Sequence, residues 1–384
     1  MKLFEYEAKS ILAKYGVPVP KGGFAADPVQ AREVAGSLNF PVVVKAQVLV
    51  AGRGKAGGIL FAGSADEAEK VAGKILAMQI KGIPVKSLWV EEKIEVKKEL
   101  YFGVTTDRLG RCYVAVASAV GGMAIEDVAA KSPEKVVKVP VDPQLGLRPF
   151  LAREIAKKIG YSGSQLSELG RIFEKLYVAG MDFDAELIEM NPVVETVDGK
   201  FVAADARIIV DDNALFRHQE YKKRLLEGES ELSPQELEAM KNDLAYVKLD
   251  GDVGVIGNGA GLVMATLDTI QFYGGKPANF LDVGGGAPAE KTALALRIVL
   301  SDPKVRVLFI NILGGITRCD EVARGVLEAK RVVGVTKPMV IRLVGTNEEE
   351  GRKILMDAGV SVLDSMEDAA RKAVEVAKQA GGGS

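Results

Sequence analysis

The chain has 384 residues, with 50 lysines and arginines against 52 aspartates and glutamates. This length allows about two or three domains with buried cores, and the net charge of −2 argues against nucleic acid as the main partner. No apolar run approaches the roughly 18 to 20 residues of a membrane span, and the start of the chain lacks the apolar core of a signal peptide.

Cysteine and histidine are scarce. Cys112 and Cys319 are too few for a disulfide framework and fit a reducing compartment, so we expect a cytoplasmic protein with no membrane partner. The single histidine, His218, lies in a polar stretch, where we expect a surface or interface position. We therefore expect neither a histidine-based catalytic triad nor a histidine-ligated zinc site within this chain.

The first part of the chain predicts an anion site. After helices at 3–15 and about 28–37, the apolar run 41–46 predicts a buried strand that carries Lys45 near its end. The loop 51–58 follows, with four glycines and the cations Arg53 and Lys55. Glycine lets backbone N–H groups approach an anion closely. The spacing is not that of a Walker loop. A mobile basic linker is the alternative, and the position of Lys45 favours phosphate binding.

The next segments predict an α+β layer. A helix at 64–77 leads to strands at 87–92, 99–105 and 112–118, a loop-rich region at 121–145, and helices at about 149–159 and 163–179. Glu91 and Glu99 bracket a charged turn. From the pattern alone, each is better explained as a surface residue than as part of a site.

Residues 186–210 predict a β-hairpin with Asp198-Gly199 in its turn. A strict two-residue loop would put Asn191 and Asp205 on opposite faces. A three-residue loop at 198–200, or a bulge at Pro192, would place four polar residues on one face (Glu189, Asn191, Asp205 and Arg207). We expect the second register, because it matches the apolar faces of the two arms.

That polar face offers two carboxylates and an amide oxygen. Mg²⁺ bound together with nucleotide phosphates uses one or two such ligands plus water. The pattern is equally compatible with the solvated outer face of an ordinary hairpin.

The second part of the chain predicts a doubly wound sheet. A charged segment at 211–247 reads as a solvated helical connector. Five strands and five helices then alternate, which indicates a parallel sheet of the flavodoxin type. Strands are predicted near 253–257, 278–283, 305–312, 338–343 and 360–363, and helices near 260–272, 288–301, 319–333, 347–358 and 366–379.

Three of these strands run into glycine turns, at 257–261, 282–286 and 313–317. All three would lie at the carboxyl ends of parallel strands, where helix N-termini collect and ligands bind. The dinucleotide fingerprint is not met. We interpret the turns as an anion or phosphate site, with tight turns alone as the alternative. No nucleophile accompanies them.

Several segments together resemble one enzyme family. They are EYEAKSILAKYGVPVP, VVVKAQVLVAGRGKAGG, KKELYFGV, IEMNPVV, DDNALFRH, NGAGL, ANFLDVGGGA and NILGGITRCD. Over essentially its whole length the chain resembles the β subunit of ADP- or GDP-forming succinate–CoA ligase. The resemblance implies an ATP-grasp region in two subdomains at 1–240, followed by a flavodoxin-like CoA-ligase domain at 241–384.

The resemblance also implies site residues. Nucleotide contacts would come from Lys45, Gly52, Arg53, Gly54, Glu91, Ile94 and Glu99, with Ile94 contributing through its backbone. Asn191 and Asp205 would bind Mg²⁺ with Glu189 in support, and Glu189 and Arg53 would have catalytic roles. Asn258, Gly315, Ile316 and Thr317 would line the succinate and phosphate site.

The resemblance further implies a partner. The family's phosphorylated histidine belongs to an α subunit, which also holds most of the CoA. ATP and succinate would give succinyl phosphate, the phosphate would pass to that histidine, and CoA would release succinyl-CoA, reversibly, as a step of the tricarboxylic acid cycle. The αβ and α₂β₂ assemblies both remain open.

Three departures from the family pattern bear on specificity. Asp205-Ala206-Arg207 replaces a common Asp-Gly-Lys, which keeps the metal ligand and the positive charge. Thr317 replaces a common valine, so a malate–CoA or citrate–CoA ligase subunit is an alternative. Pro20 stands where GTP-restricted relatives tend to carry glutamine, which favours ATP over GTP. A nucleotide-binding regulatory subunit and an independent carboxylate–amine ligase are further alternatives from other classes.

Overall fold

The computed structural model describes residues 1–50, 52–227, 232–286, 288–333 and 337–381. The chain divides into two compact units, Met1–Leu225 and Leu226–Ser384. Ala51 of the predicted glycine-rich loop and residues 228–231 of the charged connector lie outside the described residues.

The first unit contains both helices and strands. Its strands are β1 (Gly22–Ala25), β2 (Val42–Ala46), β3 (Ile59–Ala62), β4 (Gln79–Ile80), β5 (Ile83–Pro84), β6 (Leu88–Glu92), β7 (Val96–Asp107), β8 (Cys112–Ser118), β9 (Val136–Val141), β10 (Ala185–Thr196), β11 (Phe201–Ala203) and β12 (Ala206–Val210). Its helices are α1 (Glu5–Lys14), α2 (Pro28–Gly36), α3 (Ala65–Leu76), α4 (Ile125–Lys131), α5 (Pro149–Lys158), α6 (Gly163–Asp182) and α7 (Gln219–Leu226). Short 3₁₀ helices span Pro133–Lys135 and Asp212–Arg217.

Two larger antiparallel sheets organise the described part of this unit, and β4 and β5 pair in a separate two-stranded sheet. The first has the order β1-β6-β2-β3, so the fully apolar face of β2 is buried and Lys45 is held in a central strand. The second has the order β11-β10-β7-β8-β9, with β12 also pairing with β10. Its core includes Phe102 of β7 and Phe173 of α6, whose rings stack at 3.8 Å between centroids. The hairpin belongs to this sheet through β10, which pairs with β7 on its other side.

The expectation that 121–145 is loop-rich is wrong in part. The region contains α4, a 3₁₀ helix and β9, which pairs with β8. Pro140 lies within β9, although proline is excluded from central strands. The structure resolves this, since β9 is at the end of the strand order and pairs on one side alone.

The surface prediction for His218 is also wrong. The residue is buried, with its ring stacked on Phe183 at 5.6 Å between centroids and Nε2 at 3.0 Å from Asp184 Oδ2. These partners come from the end of α6 and the turn after it, so the polar sequence around His218 gave no sign of the aromatic contact.

The second unit is a single sheet covered by helices. Its strands are β13 (Ala245–Lys248), β14 (Val253–Gly257), β15 (Asn279–Asp282), β16 (Val307–Gly314), β17 (Met339–Gly345) and β18 (Val362–Leu363). Its helices are α8 (Pro234–Lys241), α9 (Ala260–Phe272), α10 (Ala289–Leu300), α11 (Cys319–Val333), α12 (Glu348–Asp357) and α13 (Met366–Gly381).

The strand order is β13-β15-β14-β16-β17-β18. The strands from β14 to β18 are parallel in the order 2-1-3-4-5 of the flavodoxin type, as predicted. The sheet has one further strand that was not predicted: β13 pairs antiparallel with β15 at the edge. Its first three residues lie inside the segment predicted as a helical connector, which does contain α7 and α8.

None of the helices in the described parts of the chain is both long and apolar enough to cross a membrane.

Candidate functional site

The hairpin places Asn191 directly opposite Asp205. Glu189 pairs with Arg207 and Met190 with Ala206, and the Asn191 N–H donates to the Asp205 carbonyl at 3.1 Å. Side chains two residues apart on a strand share a face, so the four polar residues lie together. The prediction that these four residues share one face is confirmed. The three-residue loop lies at 197–199 and not at 198–200, with Thr196 paired to Lys200, so each pairing is two residues away from the one that a loop at 198–200 would give.

Glu189 is held by a tyrosine from the neighbouring strand. The Tyr101 hydroxyl donates to Glu189 Oε2 at 2.8 Å. A Cβ on Gly103 would come within 2.7 Å of that hydroxyl, so glycine is needed there to leave room for the bond. Burial raises the pKa of Glu189, although the bond from Tyr101 acts in the opposite direction.

The side chain of Asn191 is fixed by the loop after β8. Its Oδ1 accepts from the Gly122 N–H and its Nδ2 donates to the Met123 carbonyl, both at 2.9 Å. A Cβ at Gly122 would collide with the carboxylate of the exposed Glu99, so a glycine is needed at this position. Since an amide oxygen has two lone pairs, Asn191 Oδ1 keeps one for another ligand.

Lys45 of β2 is buried among acceptors. Its Nζ lies 2.9 Å from Glu5 Oε1, 2.6 Å from Glu91 Oε1 and 2.8 Å from the Ala204 carbonyl. Burial acts to lower the pKa of Lys45, but Glu5 and Glu91 outweigh it and raise the pKa. The lysine is therefore a fixed positive charge beside the hairpin.

Arg53 joins the glycine-rich loop to the hairpin. Its Nη1 lies 2.5 Å from Glu5 Oε2 and 3.2 Å from the Ala46 carbonyl, and its Nη2 donates to Asp205 Oδ2 at 2.9 Å. Burial and the nearby Glu5 raise the pKa of Asp205, against the lowering effect of Arg53. Arg53 thus lies next to the carboxylate expected to bind metal.

The glycine-rich loop forms a tight turn around Arg53. The N–H groups of Ala56, Gly57 and Gly58 donate to the carbonyls of Gly52, Gly54 and Arg53. Gly52 has φ +89°, a left-handed conformation that favours glycine. Gly54 is exposed, and Ile94 is half-buried in the turn between β6 and β7.

The surface interpretation of Glu91 is wrong. Its side chain is buried, forms an ion pair with Lys45, and accepts from Lys9 Nζ at 2.6 Å and from Trp89 Nε1 at 2.7 Å. The exposed position of Glu99 agrees with the pattern-based prediction. The two glutamates therefore differ, because only Glu91 has buried cations from distant parts of the chain as partners.

The sequence interpretation missed Glu5 and Lys9 of α1. Both are buried, and Glu5 Oε1 lies 2.7 Å from Lys9 Nζ. Burial acts to raise the pKa of Glu5, but Lys45, Lys9 and Arg53 together hold it well below its usual value. A signal was available: Glu5 and Lys9 have the same helical spacing as the apolar Ala8 and Leu12, which places them on the buried face.

The donor set at the hairpin fits Mg²⁺. Asp205 supplies a carboxylate, Asn191 supplies an amide oxygen opposite it, and Glu189 is on the same face. All are hard oxygen donors of the kind that Mg²⁺ prefers. Burial raises the pKa of both Asp205 and Glu189, which means that these carboxylates would gain from an added positive charge.

The second unit brings its three glycine turns together. They follow β15, β14 and β16, which are adjacent in the sheet. Asp282 Oδ1 accepts from the N–H groups of Gly259 at 2.6 Å and Gly284 at 2.7 Å. Part of the turn amides predicted to meet an anion therefore bind a carboxylate of the chain itself.

Asn258 and Thr317 join these turns. The Asn258 amide bonds to both the N–H and the carbonyl of Leu313 at 2.9 Å. The buried Thr317 Oγ1 accepts from Asn258 Nδ2 at 3.2 Å and from the Gly286 N–H at 3.0 Å. Gly315 is exposed and Ile316 is 85% exposed at the tip of the third turn. Asn258 and Thr317 thus hold the turns together, and Gly315 and Ile316 lie exposed at the edge that the turns form.

Comparison with known families gives the class of protein. Residues 2–195 match the ATP-grasp domain, and residues 256–376 match the CoA-ligase domain. The chain is thus an ATP-grasp protein with a CoA-ligase domain, as expected from the two units described above.

Comparison with individual relatives narrows the class to a family. The chain is 50% identical over 380 residues to the succinate–CoA ligase (ADP-forming) subunit beta of Ignicoccus hospitalis, covering 99% of this chain and all of that protein. It is 49% identical to the protein of the same name from Herpetosiphon aurantiacus, again over 99% of this chain and all of the relative. The chain belongs to the β-subunit family of succinate–CoA ligases.

The fold is shared with a solved structure. The ATP citrate lyase of Methanothrix soehngenii, in complex with citrate and coenzyme A, matches with a TM-score of 0.71 at 20% identity. The match covers 97% of this chain and 99% of that one. At this level of identity the likeness supports the fold.

Proposed function

We propose that this chain is the nucleotide-binding subunit of a succinate–CoA ligase, which forms succinyl-CoA reversibly from succinate, CoA and ATP. The observation that carries the proposal is the meeting of Lys45, Arg53 and Asp205. Two cations therefore lie beside a carboxylate that can bind a metal ion. This arrangement suits phosphoryl transfer, in which positive groups neutralise the charge on the phosphoryl oxygens.

Each residue of the first site has a role in this proposal. Lys45 and Arg53 bind nucleotide phosphates, together with the backbone of Gly52 and Gly54. Glu91, Ile94 and Glu99 contact the nucleotide near the turn between β6 and β7. Glu189, held by Tyr101, orients the groups that receive the phosphate. The relatives are named ADP-forming, which supports ATP as the nucleotide.

Asn191 and Asp205 would hold Mg²⁺ in this proposal. The ion would supply positive charge at the phosphate oxygens. The chain's own contribution is orientation, because Gly122 and Met123 fix the Asn191 amide and Arg53 fixes the Asp205 carboxylate.

The phosphate passes to a partner in this proposal. Relatives are named as a subunit beta, which supports an α subunit as partner. The one histidine of this chain, His218, is buried against Phe183 and bonded to Asp184, which makes it a poor phosphate carrier. We therefore assign the phosphorylated histidine and most of the CoA site to the α subunit, and place the complex in the cytoplasm, which the two unpaired cysteines support.

The carboxylic acid substrate is assigned to the edge formed by Asn258, Gly315, Ile316 and Thr317. To test this, the complex of this chain with its α subunit is supplied with ATP, CoA and one acid at a time. We expect succinyl-CoA formation with succinate and much lower rates with malate and citrate. A preference for malate or citrate would move the assignment to the corresponding CoA ligase.

Thr317→Val tests the role of the threonine hydroxyl. Valine leaves the Gly286 N–H and one Asn258 donor without their acceptor, which costs about 1–3 kcal/mol in a buried position. Because the resembled succinate–CoA ligases commonly carry valine here, we expect the KM for succinate to stay within about twofold while the free energy of unfolding falls by that amount. The measurement is steady-state kinetics, combined with urea unfolding. Thr317→Ser keeps the hydroxyl and serves as the control. An unchanged free energy of unfolding in Thr317→Val, or an equally large loss in Thr317→Ser, would contradict this role of the hydroxyl.

A further inference from the structure

Lys45 has no donor to spare in its observed contacts. An ammonium group has three N–H donors; Lys45 Nζ donates to Glu5 Oε1 and to the Ala204 carbonyl, and its ion pair with Glu91 Oε1 at 2.6 Å encloses the remaining side. A phosphate oxygen can therefore bind Lys45 only by replacing one of them. Arg53 is partly committed in the same way, since its Nη1 lies against Glu5 Oε2.

Glu5 is the acceptor shared by both cations. Its two carboxylate oxygens contact Lys9, Lys45 and Arg53, and its side chain is 1% exposed. A single carboxylate thus binds both of the side chains that are assigned to the nucleotide phosphates.

Glu5 is also the acceptor that can best give up Lys45. It would keep its bond to Lys9, which is buried beside it and whose positive charge remains in place. It is the first residue of α1, where the helix dipole favours a negative charge. Glu91 is less free to move, because Trp89 Nε1 and Lys9 both hold its Oε2.

We propose that Glu5 is a built-in competitor of the nucleotide phosphates: nucleotide binding transfers Lys45 and Arg53 from the Glu5 carboxylate to phosphate oxygens, while Lys9 retains Glu5. This deepens the proposed function and rests on it for the identity of the ligand. The exchange keeps the cations in position and opposes binding of weaker anions, since a ligand must outcompete a carboxylate.

The test is calorimetric titration of ATP, ADP and inorganic tripolyphosphate into the α–β complex without added metal. Glu5→Gln removes the competing charge with little change of shape. We expect its dissociation constants for all three ligands to fall about tenfold, the scale of one charged hydrogen bond. Glu7→Gln, a change of the same kind in the same helix, should leave them within twofold of the original protein.

A second variant covers the case in which Glu5→Gln fails to fold. Glu5→Asp keeps the buried charges balanced and withdraws the carboxylate by one methylene group, so we expect binding about threefold tighter than in the original protein. Unchanged or weaker binding in Glu5→Asp, or in a folded Glu5→Gln, would overturn the proposal.

Thermal unfolding gives an independent readout. Glu5→Gln leaves three buried cations facing Glu91 and Asp205, so its Tm without ligand should fall. The rise in Tm on adding ATP should then exceed the rise in the original protein. A purely structural Glu5 would give an equal or smaller rise.

If the original protein binds none of the three ligands, the proposed function fails, which is a separate outcome from failure of the Glu5 proposal.

Discussion

Replacing Asp205 with alanine is expected to lower the rate of ATP-dependent phosphorylation of the α subunit about a thousandfold or more. The substitution removes a proposed Mg²⁺ ligand and the carboxylate that orients Arg53 Nη2 at 2.9 Å. Preorganised electrostatic groups of this kind each raise the reaction rate roughly a hundredfold to a thousandfold. The substitution affects two of them, the Mg²⁺ site and Arg53. The measurement is the initial rate of phosphate incorporation at saturating Mg²⁺ and ATP.

The fold of the Asp205→Ala variant should stay intact. The Asp205 side chain is 34% exposed, and the pairing of Asn191 with residue 205 uses backbone atoms. Asp198→Ala, in the exposed loop of the same hairpin, is the matched control and should keep the original rate. An unchanged phosphorylation rate in Asp205→Ala would refute the assignment of this face as the metal site.

Replacing Lys45 with methionine is expected to weaken ATP binding and slow phosphorylation, each about a hundredfold. Methionine fills a similar volume but supplies no positive charge at the phosphates. The substitution also removes one of the cations that pair with Glu5 and Glu91, so that Lys9 and Arg53 remain. Loss of one partner from a buried ion pair lowers the free energy of unfolding by about 3–5 kcal/mol. Calorimetric titration of ATP measures the first effect, and urea unfolding measures the second.

Lys70→Met provides the control for this experiment. Lys70 is exposed on α3, so its replacement should change neither binding nor stability by a measurable amount. If Lys45→Met were destabilised yet bound ATP with the original affinity, Lys45 would be a structural ion-pair partner and the phosphate role would be wrong.

The second unit was largely predictable because its pattern is local. Strands β14 and β16 are buried on both faces over most of their length and are recognised as short apolar runs, and each helix between strands has its own periodicity. Strand β13 was missed because its four residues, A-Y-V-K, follow a long charged segment. They pair antiparallel with a strand much later in the chain, as shown by Tyr246 opposite Leu281, 35 positions away.

The hairpin register was predictable for a related reason. Matching the apolar faces of the two arms leaves only registers in which Asn191 and Asp205 share a face. The exact loop was not predictable, since Thr196 and Lys200 close it through bonds that several loop lengths could form.

The charge network around Lys45 could not be predicted from local patterns. Lys9 reaches Glu91 across 82 positions, and Arg53 reaches Asp205 across 152. A glutamate next to a charged turn looks exposed in sequence, and Glu91 is buried because Lys9 and Lys45 compensate its charge. Burial of charged residues therefore depends on partners that a linear pattern does not show.

The most direct measurement is labelling with γ-³²P-ATP and Mg²⁺, carried out on this chain alone and then on its mixture with the α subunit. The account predicts acid-labile label only in the mixture, on a histidine of the α subunit, and its discharge by succinate together with CoA. If neither sample took up label while this chain still bound ATP, the protein would be a nucleotide-binding regulatory subunit, and the proposed catalytic function would be contradicted.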